Sequence, residues 1–98
     1  MTINKTANGK ELVIALEGRL DTTTAPQLDE ELKTALSGIE DLKFDFSKLE
    51  YISSAGLRVL LSAQKVMNKQ GRMVVKNASE EVQEIFEVTG FSDIFTIQ

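Results

Sequence analysis

The chain has no cysteine, no histidine and no tryptophan, and only one proline in 98 residues. Without cysteine there is no disulfide framework. Without cysteine and histidine there is no zinc site of the Cys/His kind. Ser-His-Asp and Cys-His catalysis lack their base. The missing cysteine fits a reducing compartment. Long apolar runs are absent too: the longest, Leu12 to Leu16, falls far short of a membrane span. The opening stretch, MTINKTANGKE, lacks the apolar centre of a signal peptide. A cytoplasmic protein with no membrane insertion is expected. Positive charge is in deficit, with 11 basic against 15 acidic side chains and a net charge of -4. Nucleic-acid binders usually carry a basic face. The five phenylalanines and one tyrosine form no aromatic-and-basic cluster that would stack single strands. No nucleic-acid partner is therefore expected. There is no glycine-rich phosphate loop of the GxxxxGK type. The carboxylate pairs Glu30–Glu31 and Glu80–Glu81 read as solvated helix faces. No enzyme activity, cofactor or metal is expected.

What is present suits one compact domain, residues 1–98. Thr2 to Thr6 reads as a weakly patterned strand, and Asn8-Gly9 as a hairpin turn. Glu11 to Glu17 is a second strand. Its run LVIAL is apolar at every position, which predicts burial on both faces. Thr24 with Gln27 matches a capping box, and Pro26 suits a first helical turn. The helix that follows carries Leu28, Leu32, Ala35 and Leu36 on one face and closes at Gly38. Leu42 to Phe46 is a third strand, in which Phe44 and Phe46 alternate with Asp45. A short connection leads to a helix ending near Gln70 and stopped by Gly71. Arg72 to Lys76 is a fourth strand with Met73, Val74 and Val75 buried. Asn77 with Glu80, or Ser79 alone, caps a helix bearing Val82, Ile85, Phe86 and Thr89, and Gly90 ends it. Phe91 to Ile97 supplies a short turn and an edge strand.

The order β-β-α-β-α-β-α-(β) predicts an α/β fold. Right-handed crossovers give a mostly parallel, mixed sheet of four to five strands with three main helices. The helices are expected on one face of the sheet. The first strand and the C-terminal segment would partly cover the other.

The segment FDFSKLEYISSAGLRVLL, Phe44 to Leu61, carries the chemistry. Leu57, Leu60, Leu61 and Gln64 recur at helical spacing, so Ser53 and Ser54 fall at a helix N-terminus. There the free backbone N–H groups and the helix dipole favour negative charge. A phosphate on such a serine would be accommodated. Serine is also a common N-cap, and from spacing alone capping is the more frequent role. Gly56 reads as a residue that lets helix and strand pack closely. Asp21 and the threonines Thr22, Thr23 and Thr24 read as turn and cap residues. Lys65, Lys69 and Arg72 read as solvated charges, and Met67 and Met73 as core filler.

GRLDTTTA, FDFSKLEYISSAGLRVLL, GRMVVKN and IFEVTGFSDIF together resemble, in order and spacing, the STAS domain of bacterial anti-sigma factor antagonists. The resemblance implies a binding module that captures an anti-sigma factor, itself a serine kinase of the GHKL type, and so frees a sigma factor. It also implies that the kinase phosphorylates one serine on the antagonist and that a PP2C-type phosphatase reverses the change. Matched by position, Ser53 stands where the family has an aspartate, and Ser54 is the phosphoacceptor. Ala55 replaces Ser or Thr, and Gly56-Leu57 are kept. Asp21 matches an aspartate at the family's partner-facing edge. The implied partner-binding residues are Asp21, Thr22, Thr23, Ser53, Ser54, Ala55, Gly56 and Leu57. A monomer or weak dimer is expected. The alternative within the same fold is an unphosphorylated scaffold, or an accessory subunit of a signalling assembly or lipid-transport ATPase.

Overall fold

A computed structural model describes residues 1–98. The elements are β1 (Thr2–Asn8), β2 (Glu11–Leu20), α1 (Ala25–Ala35), β3 (Asp41–Ile52), α2 (Ser54–Gln70), β4 (Arg72–Lys76), α3 (Glu80–Thr89), a 3-10 turn (Phe91–Asp93) and β5 (Thr96–Ile97). The five strands lie in one sheet in sequential order, with β1 antiparallel to β2 and all other pairs parallel. Sequential order makes each right-handed crossover step the same way, so every helix falls on the same face. That face holds one core. Leu12, Ile14 and Leu16 of β2, Leu42, Phe44 and Phe46 of β3, and Met73 and Val75 of β4 meet apolar residues of all three helices. Phe46, Phe86 and Phe95 continue the packing, with ring centroids 6.4 and 5.6 Å apart, distances at which tilted and edge-on aromatic pairs attract.

The opposite sheet face corrects two expectations. Leu12, Ile14 and Leu16 are buried, but Val13 and Ala15 between them are only half-buried. The run is apolar throughout, yet no layer covers its second side. β1 and the C-terminal β5 do not cover it either. They are the two edges of the sheet.

β1 runs to Asn8, two residues beyond Thr6. Asn8 pairs with Glu11, so the hairpin loop is Gly9-Lys10 rather than Asn8-Gly9. The positive φ of 63° falls on Gly9, the first loop residue, the place where a type II′ hairpin turn puts glycine.

β3 is the larger correction. It does not stop at Phe46 but runs to Ile52. Between Ala15/Asp45 and Glu17/Lys48, and again between Gly18/Leu49 and Arg19/Tyr51, β3 gains one residue on β2. Each extra residue is a bulge that shifts the alternation. The buried residues become Phe44, Phe46, Leu49 and Ile52, a spacing that no single strand period describes. The presumed connection is therefore strand, and it delivers Ser53 directly to the end of the sheet.

At α3 the structure chooses between two caps. The Ser79 hydroxyl accepts the Val82 N–H at 3.2 Å. Asn77 instead sits at φ 61° and donates its side-chain amide to Asp45. Thr89 is exposed rather than part of the apolar face, and its hydroxyl donates to the Ile85 carbonyl.

Candidate functional site

Leu20 and Ile52 are parallel register partners and the last residues of their strands. The segments that follow them must leave the sheet at the same edge. The Ser53 N–H donates to the Leu20 carbonyl at 2.8 Å and locks the two exits together. Gly56 then lies against them. A Cβ at that position would come 2.7 Å from Leu20 Cγ and 3.0 Å from Ile52 Cγ1. The missing side chain lets the first turn of α2 sit on the strand ends, which fixes where Ser54 is held.

The two serines have different environments. Ser53 is extended, at φ -98° and ψ 174°, and its hydroxyl accepts the Gly56 N–H at 3.3 Å. It is the N-cap. Ser54 is the first helical residue and is exposed; its hydroxyl makes no intramolecular hydrogen bond. Ala55 is half-buried, and Gly56 and Leu57 are buried. These last two offer no exposed side chain at this edge.

Asp21 organises the neighbouring exit. Its Oδ1 accepts the Thr23 and Thr24 N–H groups at 3.0 and 3.1 Å and the Thr23 hydroxyl at 2.7 Å. The Ala25 N–H reaches the Asp21 carbonyl at 2.8 Å. A hydrogen-bonded turn over Thr22–Thr24, closed onto Asp21, thus leads into α1. The anticipated Thr24–Gln27 capping box does not form. Thr24 is already helical, at φ -98° and ψ -21°, and its hydroxyl turns back to the Arg19 carbonyl and the Asp21 N–H. Thr22 and Thr23 are exposed on the same edge.

The Thr23 hydroxyl, with the Thr24 N–H behind it, holds the Asp21 carboxyl below its ordinary value of 3.8. Sequence reasoning passed over two residues beside it. Arg19 lies 3.7 Å from Asp21 Oδ2, and its guanidinium stands 4.4 Å from the centre of the Tyr51 ring, within cation–π range. Arg19 was legible only as a neighbour of Asp21. Tyr51 lay hidden in the stretch read as a connection. No group of three or more acidic, cysteine or histidine side chains converges as a metal site would.

Asp45 is held below 3.8 as well, first by the Ser47 N–H at 3.0 Å and then by the Asn77 amide. Both shifts favour the ionised form in the folded state. Their stabilisation is complete above the unfolded pKa and is lost as pH falls through the lower folded value. Acid should therefore lower Tm progressively below about pH 4, near the unfolded carboxylate pKa, and Asp45→Asn should make that decline shallower. Equal declines in thermal melts of the two proteins would remove Asp45 from the account.

The family model described as "Mlab, STAS domain" matches residues 3–97. A Bordetella bronchiseptica protein named as an anti-sigma factor antagonist, BtrV, is 39% identical over 88 residues, covering 88% of this chain and 76% of its own. The chain belongs to the STAS-domain anti-sigma factor antagonist family. The anti-sigma-B factor antagonist of Bacillus subtilis is 31% identical over 91 residues, covering 92% of this chain and 84% of that one. The STAS fold also recurs in the antagonist SpoIIAA. Its unphosphorylated form superposes with a TM-score of 0.78 over 99% of this chain and 87% of its own. Its phosphorylated form gives 0.77 over 99% and 91%, and both are 20% identical to this chain. No helix of this STAS chain is long and apolar enough to cross a membrane.

Proposed function

We propose that residues 1–98 act as a single STAS domain in a cytoplasmic partner switch controlled at Ser54. The unmodified chain binds an anti-sigma factor that is also a GHKL-type serine kinase, and the sigma factor is released. The kinase transfers the γ-phosphoryl group of ATP to the Ser54 hydroxyl, leaving ADP and a proton. A PP2C-type phosphatase restores the serine by hydrolysis, with water supplying the oxygen and inorganic phosphate leaving. The single observation that carries this reading is the division of labour between the serines. The Ser53 hydroxyl is occupied as a cap, and the Ser54 hydroxyl is free and exposed at the edge shared with Asp21, Thr22 and Thr23.

The relatives named as anti-sigma factor antagonists support the class of partner. SpoIIAA resembles this chain equally in both phosphorylation states, which supports a switch that leaves the fold in place. A phosphate adds about -1.5 to -2 charges and three acceptor oxygens. It lands on a surface shaped around a neutral hydroxyl, so binding is lost without rearrangement of the core.

Incubation with the kinase and ATP, followed by mass spectrometry, tests the assignment. Phosphate is expected on Ser54 alone. Phosphate on Ser53 would overturn it, and a chain that binds its partner without ever being phosphorylated would instead be an unmodified STAS scaffold or accessory subunit.

Asp21→Asn separates a partner-facing role from a purely structural one. The amide oxygen can still accept the Thr23 and Thr24 N–H groups, but the charge facing Arg19 is gone. Phosphorylation of Ser54 is expected to slow at least about fivefold, on the order of 1 kcal/mol, with the circular dichroism spectrum unchanged. Normal phosphorylation of a less stable protein would leave Asp21 as a turn residue only.

A further inference from the structure

The chain is acidic overall, yet its charge is segregated. From Tyr51 to Ser79 there is no carboxylate. Seven of the 11 basic side chains lie in ion pairs. The other four are Arg58, Lys65, Lys69 and Lys76, and the first three are exposed residues of α2. They follow Ser54 at intervals of four, seven and four residues. At about 100° per residue this places Ser54, Arg58, Lys65 and Lys69 within an arc of about 60°. The stripe runs about 22 Å along the helix at about 1.5 Å per residue. The core residues Leu60, Ala63 and Met67 occupy the opposite side. α2 therefore presents an uncompensated cationic face, and Ser54 stands at its head.

We infer that this face is an electrostatic docking surface for an acidic face of the partner protein, with Ser54 as the group whose modification cancels it. The inference rests on the partner-switch reading above and names the chemistry of the partner. A modification that works by adding negative charge acts most strongly where the partner is itself negative. The phosphate repels that surface and also competes for Arg58. An anion at one helical position and a cation four residues on are neighbours in the favourable orientation. Nucleic acid fits less well, because the net charge of -4 repels a polyanion outside this one stripe. Self-association through the acidic side of α3 also fits less well. Glu80, Glu84 and Glu87 would match only about 10 Å of the stripe's length.

The test is a titration of the 15N-labelled chain with a decaglutamate peptide at low salt. Amide shifts are expected at Arg58, Ser62, Lys65 and Lys69. Affinity should fall at least tenfold in R58Q/K65Q/K69Q, fall comparably when phosphoserine is genetically encoded at position 54, and vanish at high salt. Glutamine is a good helix former, so the triple variant should melt as the parent does; R58Q alone serves as a milder variant. Shifts elsewhere on the molecule, or an unchanged affinity in the triple variant, would overturn the inference. So would tighter binding to a DNA duplex or to phosphatidylglycerol vesicles. Sedimentation showing salt-sensitive dimers that the triple variant abolishes would make a second copy the occupant and overturn it too. Because the phosphoserine is encoded, failure of a kinase to modify Ser54 would strike the partner-switch reading and leave this result standing.

Discussion

Ser54→Ala should incorporate no phosphate and should keep its anti-sigma factor bound in the presence of ATP. The side chain lost is an exposed hydroxyl without an internal partner, so stability should change by less than about 0.5 kcal/mol, as at ordinary surface positions. Partner affinity should stay within about threefold, since less than about 1 kcal/mol of contact is at stake. Ser53→Ala should behave in the opposite way. It removes the cap on Gly56 and should cost about 0.5–2 kcal/mol while phosphate is still accepted at Ser54. Ser54→Asp should weaken binding less than a phosphate does, because a carboxylate carries less charge and fewer oxygens. Native mass spectrometry of the complexes with ATP present reads all of these. Phosphate on the Ser54→Ala protein, or release of its partner by ATP, would be incompatible with Ser54 as the switch.

Gly71→Ala should be the most damaging single-methyl substitution in the chain. A Cβ there would lie 1.8 Å from the Glu40 carbonyl oxygen and 2.5 Å from its carbon. The backbone at Gly71 is extended, with φ 172°, so its conformation does not require glycine. Close approach of two backbones does. Around that contact the Arg72 N–H donates to the Glu40 carbonyl at 3.0 Å. The Gln70 side chain donates to the Leu36 and Ile39 carbonyls at 2.7 and 2.6 Å. This seam anchors the far end of the helix that carries Ser54. A backbone carbonyl cannot rotate away, so the cost should reach about 3 kcal/mol, the upper part of the overpacking range. That corresponds to a fall in Tm above about 12 °C, at about 4–8 °C per kcal/mol for a domain of this size. Gly56→Ala is the informative contrast. Its close neighbours are atoms of the Leu20 and Ile52 side chains, which can adjust, so about 1 kcal/mol is expected. Thermal unfolding of the two variants decides, and a Gly71→Ala protein as stable as the parent would refute the contact.

The parts of the fold visible in the sequence were those with an unbroken period. β4 and the end of α2 fall where the pattern places them, because neither contains a bulge. β3 beyond Phe46 was not legible. Two bulges break its alternation, and nothing local in Ser47–Glu50 marks them. The capping box at Thr24 was misread for a different reason. Asp21 Oδ1 takes the Thr23 and Thr24 N–H groups and the Thr23 hydroxyl into a turn that precedes α1; a carboxylate outcompetes a threonine hydroxyl for backbone donors. At the site, the serine pair could be read as a cap or as a phosphoacceptor. The sequence alone could not say which serine is the cap and which keeps a free, exposed hydroxyl, because that depends on Ser53 being held in an extended conformation by the Leu20 carbonyl. The cationic face of α2 was present as the separate residues Arg58, Lys65 and Lys69. It becomes a surface only once the ion pairs elsewhere are known.

The central claim is that a phosphate on Ser54 switches partner binding at the surface of an otherwise unchanged fold. The most direct measurement titrates the anti-sigma factor with the unmodified chain and with the chain carrying encoded phosphoserine at position 54, alongside the 15N–1H spectra of both. The phosphoserine form should lose at least about a hundredfold in affinity, about 2.8 kcal/mol. Its amide shifts should be confined to the Ser54 edge, that is residues 53–58 and 19–24. Equal affinities would contradict it, and so would a loss of affinity accompanied by shifts throughout the Phe46–Phe86–Phe95 core.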